Sequence, residues 1–244
     1  MSKKKETTAP NNNGNSLRMN EVNQYVQELG KIYLQHGNPA NAEGMSRYMK
    51  EQFPYYGIKT PQRRALAAAF IAEHGLPEGE ALKALCRACF ESEYRELHYF
   101  VGDALSKRLK SLDVSFLDVF EELIGQHSWW DSVDFLAPKL AGGLFLRFPN
   151  QIAPYTDRWI ESDNFWYQRA AIIFQLGYKQ KTDAQRLFKN VLRRADSKEF
   201  FVQKGAGWAL REYSKTDSAA VKSFVQSHKL AALTTREALR LLDN

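Results

Sequence analysis

At 244 residues the chain is long enough to bury a sizeable core, and its 44% hydrophobic content is ordinary for a globular protein. Its 34 Lys and Arg outnumber its 28 Asp and Glu for a net charge of +6, a balance that admits nucleic acid as a partner without requiring it. No segment has the apolar run of a signal peptide or a membrane span, so no membrane association is expected and a cytoplasmic location follows.

Residues 1–18 are a Lys, Thr, Asn and Ser tract with almost no hydrophobes, expected to be a disordered polar tail that starts on Lys3, Lys4 and Lys5. From residue 19 to 244 the pattern predicts one all-α domain without a dividing linker. Helices are expected at about 19–36, 40–52, 60–74, 78–90, 93–109, 113–126, 128–147, 149–160, 163–176, 181–194, 198–213, 216–228 and 233–242. Phe116, Leu117, Phe120, Leu123 and Ile124 show the helical spacing, as do Ile172, Ile173 and Leu176. Breaks fall at Gly57, Gly75-Leu-Pro77, Gly125, Phe148-Pro149 and Gly177, where helices should end. No Asn-Gly or Asp-Gly hairpin signal separates alternating segments.

Thr60-Pro61 reads as an N-cap followed by a proline at the first helical position, with Arg63 and Arg64 close behind. Such a start offers free N–H groups and a nearby cation to a phosphate. Cys86 and Cys89 form a lone Cys-x-x-Cys in a helical pattern, with no second pair to complete a metal site, and are expected to be buried packing residues. Ser128 and Asp131 have the spacing of a capping box, which makes Asp131 structural.

Four helix starts share one design, a polar residue followed by an aromatic. The aromatics Tyr94, Trp130, Trp166 and Phe201 lie 36, 36 and 35 residues apart. A period of that size belongs to stacked two-helix repeats, each pair burying its apolar face against the next. The fold class expected is therefore an all-α, curved solenoid of about six antiparallel helix pairs, whose concave groove would take an extended partner.

Stacking brings equivalent positions of successive repeats onto one wall. Trp130 and Asp134, at i and i+4, share a helix face, and Arg169 and Trp208 follow at intervals of 39 residues from Trp130. Singly, each has an ordinary explanation: a core tryptophan, or an ion pair in which Arg169 merely satisfies Asp134. Together they suit a cationic group met by a carboxylate and π faces, with an arginine for a phosphate. That description fits a damaged nucleotide better than a peptide.

These residues carry a resemblance to the AlkD-type DNA alkylation repair glycosylases, which are built from HEAT-like repeats. It runs from about Val22 to Leu242, through Met45-Ser-Arg-Tyr-Met-Lys50, Phe53 to Arg64, Glu93 to Phe100, Ser128-Trp-Trp-Asp-Ser-Val-Asp134, Phe165-Trp-Tyr-Gln-Arg169 and Gly205-Ala-Gly-Trp208. The resemblance implies that Asp134 is the catalytic carboxylate, Trp130 and Trp208 cradle the lesion, and Arg169 grips the backbone. Tyr48 matches a groove-lining tyrosine, and Thr60, Arg64 and Arg211 look like phosphate contacts. It further implies a monofunctional glycosylase that hydrolyses the N-glycosidic bond of N3- and N7-alkylated purines in double-stranded DNA; neither metal nor cofactor is expected, and a monomer is the default expectation. The alternative is a HEAT-like DNA-binding or scaffold protein without hydrolytic activity. Retention of Asp134, Arg169, Trp130 and Trp208 argues against it.

Overall fold

The computed structural model describes residues 13–242, all of whose regular structure is helical. These residues divide into two compact units, one ending at Val101 and one starting at Gly102.

The first unit contains α1 (Asn13–Gln35), α2 (Pro39–Tyr48), α3 (Thr60–His74), α4 (Gly79–Glu91) and the first turns of α5 (Arg95–Ser106). Helix α1 begins inside the segment expected as tail, so residues 13–18 are helical; the rest of that tail lies outside the described residues. Val22, Leu29 and Tyr33 bury one stripe of α1. A helix anchored in this way extends through polar residues at little cost, because each added residue gains a hydrogen bond. Asn38 caps α2 by accepting the Asn41 N–H at 3.0 Å, with Pro39 opening the helix. Gly57 sits at φ 89°, and a Cβ there would lie 2.1 Å from the Asn38 carbonyl, so only glycine allows this close approach. Cys86 and Cys89 are buried in α4, and burial pushes the Cys86 thiol up to about 12.

The second unit holds the rest of α5, then α6 (Phe116–Gly125), α7 (Trp130–Phe135), α8 (Gly142–Phe145), α9 (Ile152–Glu161), α10 (Phe165–Ile173), α11 (Ala184–Arg193), α12 (Phe200–Ser214), α13 (Ser218–Ser227) and α14 (Ala232–Leu239). The expected apolar positions of α6 are all buried, as are Ile172 and Ile173 of α10. Trp159 is the largest fully buried side chain; its indole N–H donates to Glu121 at 2.6 Å. The helix expected over 128–147 is interrupted by a π turn, Leu136–Ala141, where the Gly142 N–H reaches back five residues to Ala137. Pro138 is the cause: it has no N–H for the carbonyl four residues earlier, which belongs to Asp134, so the ladder is relaxed there. No described helix is long and apolar enough to cross a membrane.

Candidate active site

Asp134 lies near the end of α7, beside the π turn, with its side chain 18% exposed. Arg169 of α10 meets it with two parallel bonds, Nε to Oδ1 and Nη2 to Oδ2, both 2.7 Å. This is the fork-on-fork geometry that a guanidinium makes with a carboxylate. The remaining nitrogen, Nη1, donates to the Phe201 carbonyl at the start of α12. Gly205, one turn further along α12, makes room for the guanidinium: a Cβ there would stand 2.8 Å from Nη1. Trp208 follows on the same face, its ring centroid 6.0 Å from Arg169 Cζ. Arg169 is thus a buried hub at 3% exposure, spending its donors inside the protein. Trp130 and Trp208 are both half-buried, unlike Trp159.

Burial pushes the Asp134 carboxyl above its usual 3.8; the hydrogen bonds and charge of Arg169 pull the other way, and Asp131 adds to the rise. A folded-state value above the unfolded one means the native protein holds this proton more tightly. The stability it contributes is therefore full below 3.8 and is lost as pH rises through the raised value. Thermal melts across that window should show Asp134→Asn gaining on the wild type as pH increases. A difference moving the other way would mean that Arg169 outweighs burial.

The paired tryptophans divide their work. Trp129, in extended conformation at φ −151°, is the N-cap residue of α7. It packs against Trp166 at 5.7 Å and edge-on to Phe201 at 5.2 Å, while Trp166 and Phe201 lie 4.9 Å apart. So Trp129, the residue before the one the period picks out, packs with Trp166 and Phe201. Successive residues of an extended segment face opposite ways, which a period counted along the chain does not reveal. The capping box expected from Ser128 and Asp131 does not form. Ser128 donates to Ile124 at 2.6 Å, and Ser132 takes its place by bonding the Trp129 backbone.

Tyr48, Thr60 and Arg64 lie in the first unit, around one open cavity of about 520 Å³ that also involves Lys59, Arg63 and Tyr99. Tyr48 is 70% exposed, and Thr60 and Arg64 are exposed. Thr60 is the first residue of α3 and Lys59 the N-cap, one residue earlier than expected, because Lys59 already has the extended backbone of a cap. Arg211, on α12, donates to the buried carboxylate of Glu237, which Lys204 also contacts. Those bonds, Lys204 first, hold the Glu237 carboxyl below its usual range.

The second unit thus places a half-buried carboxylate, clamped by an arginine, beside aromatic side chains in an all-helical repeat fold. The chain belongs to the DNA alkylation repair enzyme family, whose model matches residues 32–242. A solved structure titled a predicted DNA alkylation repair enzyme, from Enterococcus faecalis, is 32% identical to it. That likeness covers 84% of this chain and 96% of that one, with a TM-score of 0.78. Two Streptococcus mutans structures share the fold at 18% identity. They are AlkD2 (91% of this chain, 100% of that chain, TM-score 0.62) and smu.31 of strain UA159 (89% and 97%, TM-score 0.59). No curated protein matches the chain.

Proposed function

We propose that this protein is a monofunctional DNA glycosylase, releasing N3- and N7-alkylated purines from double-stranded DNA. The observation that carries this reading is the Asp134 carboxylate, half-buried and fixed at both oxygens by Arg169, whose guanidinium lies 6.0 Å from the Trp208 ring, with Trp130 on the helix face of Asp134. Alkylation at N3 or N7 makes the purine cationic, so it departs as a neutral heterocycle and needs no general acid. What remains is to offset positive charge growing on the deoxyribose and to hold a water. A carboxylate has about four lone-pair positions. Arg169 takes one on each oxygen and leaves the others for water and sugar. Such an electrostatic group acts by matching the transition state.

In this reading Arg169 does not grip the DNA backbone directly. It keeps a desolvated carboxylate ionised and oriented, a positioning role that its burial supports. Phosphate contacts fall to Thr60 and Arg64, whereas Arg211 would have to give up part of its bond to Glu237 to join them.

The test is incubation of the purified protein with methylated duplex DNA and chromatography of the released bases; free N3-methyladenine or N7-methylguanine is expected, and none would overturn the reading. Arg64→Ala should weaken binding to all sequences alike and reduce the slope of log affinity against log salt by about one. An unchanged slope would remove Arg64 from the phosphate contacts.

A further inference from the structure

Two glycines divide the surface of α12. A Cβ at Gly205 would stand 2.8 Å from Arg169 Nη1, which marks the side turned to α10. A Cβ at Gly207 would stand 2.4 Å from Glu237 Cβ and 2.9 Å from the Thr234 carbonyl, which marks the side turned to α14. Glycine is unfavourable inside a helix, and here it lets α14 come close. Helical spacing places Lys204, Trp208 and Arg211, at i, i+4 and i+7, on one stripe between those two sides. Trp208 is thus flanked by a cation one turn away in each direction.

Both cations are already taken. Glu237 of α14, its side chain 8% exposed, meets Lys204 Nζ with Oε1 at 2.5 Å and Arg211 Nη1 with Oε2. Its backbone carbonyl accepts from the same Nη1 at 3.3 Å. Among the described residues neither cation meets any other carboxylate. Thr234 Oγ1, donating to the Gln203 carbonyl at 3.1 Å, fastens α14 on the same side. Lys204 stays 39% exposed and Arg211 20% exposed, so the pair borders solvent beside Trp208 while its charge is met inside the protein. A phosphate that drew both cations away would leave Glu237 buried and unpaired, a penalty set against its own binding.

We propose that Glu237 is an internal competitor of DNA: it withholds Lys204 and Arg211 from the phosphate backbone and so sets how fast the enzyme leaves DNA, its product included. The inference rests on the reading of the protein as a DNA repair enzyme, but Glu237 takes no part in the chemistry at Asp134. A cation freed to meet a phosphate raises affinity for every sequence alike, damaged or not, and acts mainly by slowing departure. An enzyme that must search mostly intact DNA and release an abasic product works faster with fewer such contacts.

The experiment measures the salt dependence of binding of the full chain to an unalkylated duplex. Glu237→Gln keeps the shape of the side chain and removes its charge. It should steepen the slope of log affinity against log salt by about one for each cation released. Binding should tighten by roughly tenfold per contact at about 0.1 M salt. Dissociation from a duplex carrying an abasic site should slow by the same factor, with single-turnover base release from methylated DNA unchanged. Lys204→Ala should matter little in the wild type and should cancel about one unit of slope in Glu237→Gln, a coupling that follows from the shared carboxylate. Glu199→Gln removes an exposed charge at the start of α12 that is in no ion pair among the described residues; it controls for net charge and should leave the slope alone. An unchanged slope in Glu237→Gln overturns the proposal. So does a flatter one, which would make Glu237 the support of a phosphate clamp and not its competitor. Lys204→Ala in the wild type tests the point without touching α14: a slope flattened by about one would mean that Lys204 already meets phosphate, and overturns the proposal too. Base release from methylated DNA is assayed on the same preparations. Release with an unchanged slope refutes the competition alone, and a steeper slope without release refutes the glycosylase alone.

Discussion

Asp134→Asn is expected to slow release of N7-methylguanine by roughly 10²–10³-fold, the loss of about 2.7–4 kcal/mol that follows removal of one preorganised electrostatic group. Asparagine keeps the shape of the side chain and can still accept one N–H from Arg169. It presents an amide N–H₂ where the second oxygen stood, so one of the two 2.7 Å bonds is replaced by a clash of donors. Arg169 retains the Phe201 carbonyl, which limits the damage. A stability cost of about 1–3 kcal/mol follows, or a Tm lowered by about 2–12 °C, and assays at 25 °C stay clear of it. Affinity for DNA should survive or rise slightly, since a negative charge beside a polyanion has been removed. Asp131→Asn is the control. It lies in the first turn of α7, where a carboxylate is worth about 0.3–1 kcal/mol to the helix, and its effect should be on stability alone. Activity lost in Asp131→Asn and kept in Asp134→Asn would put the catalytic carboxylate one turn away; activity kept in both would end the carboxylate mechanism.

The tryptophans separate catalysis from packing. Trp159 is 1% exposed and bonded to Glu121, so Trp159→Ala should cost about 3–5 kcal/mol and lower Tm by about 6–20 °C. Trp130 and Trp208 are half-buried, and their removal should shift Tm by only a few degrees. If they face a cationic base and the sugar beside it, each contributes on the scale of a cation–π contact, about 1–2 kcal/mol, and base release should fall about 5- to 30-fold. Thermal melts and single-turnover release on the same three variants give the answer. Trp130→Ala or Trp208→Ala melting like Trp159→Ala would make that residue part of the core.

Much of the helical fold is legible in the chain because helix formation reports itself locally. The spacing of Phe116, Leu117, Phe120, Leu123 and Ile124 names the buried face of α6, and Thr60-Pro61 marks the start of α3 to within a residue. The 35 residues between Asp134 and Arg169 match one repeat, so their meeting across neighbouring helices could be expected from period alone. Which way a group turns once it arrives is a different matter. That Arg169 spends its donors on Asp134 and the Phe201 carbonyl, and is buried in doing so, depends on a glycine 36 residues away leaving space for it. That Trp129 joins the aromatic cluster follows from the backbone angles before α7, and that Arg211 is taken up by Glu237 follows from the docking of α14. Hydrophobic period is a property of neighbours along the chain, whereas hydrogen-bond partners, burial of charge and cavities depend on residues that are distant in sequence and close only after folding.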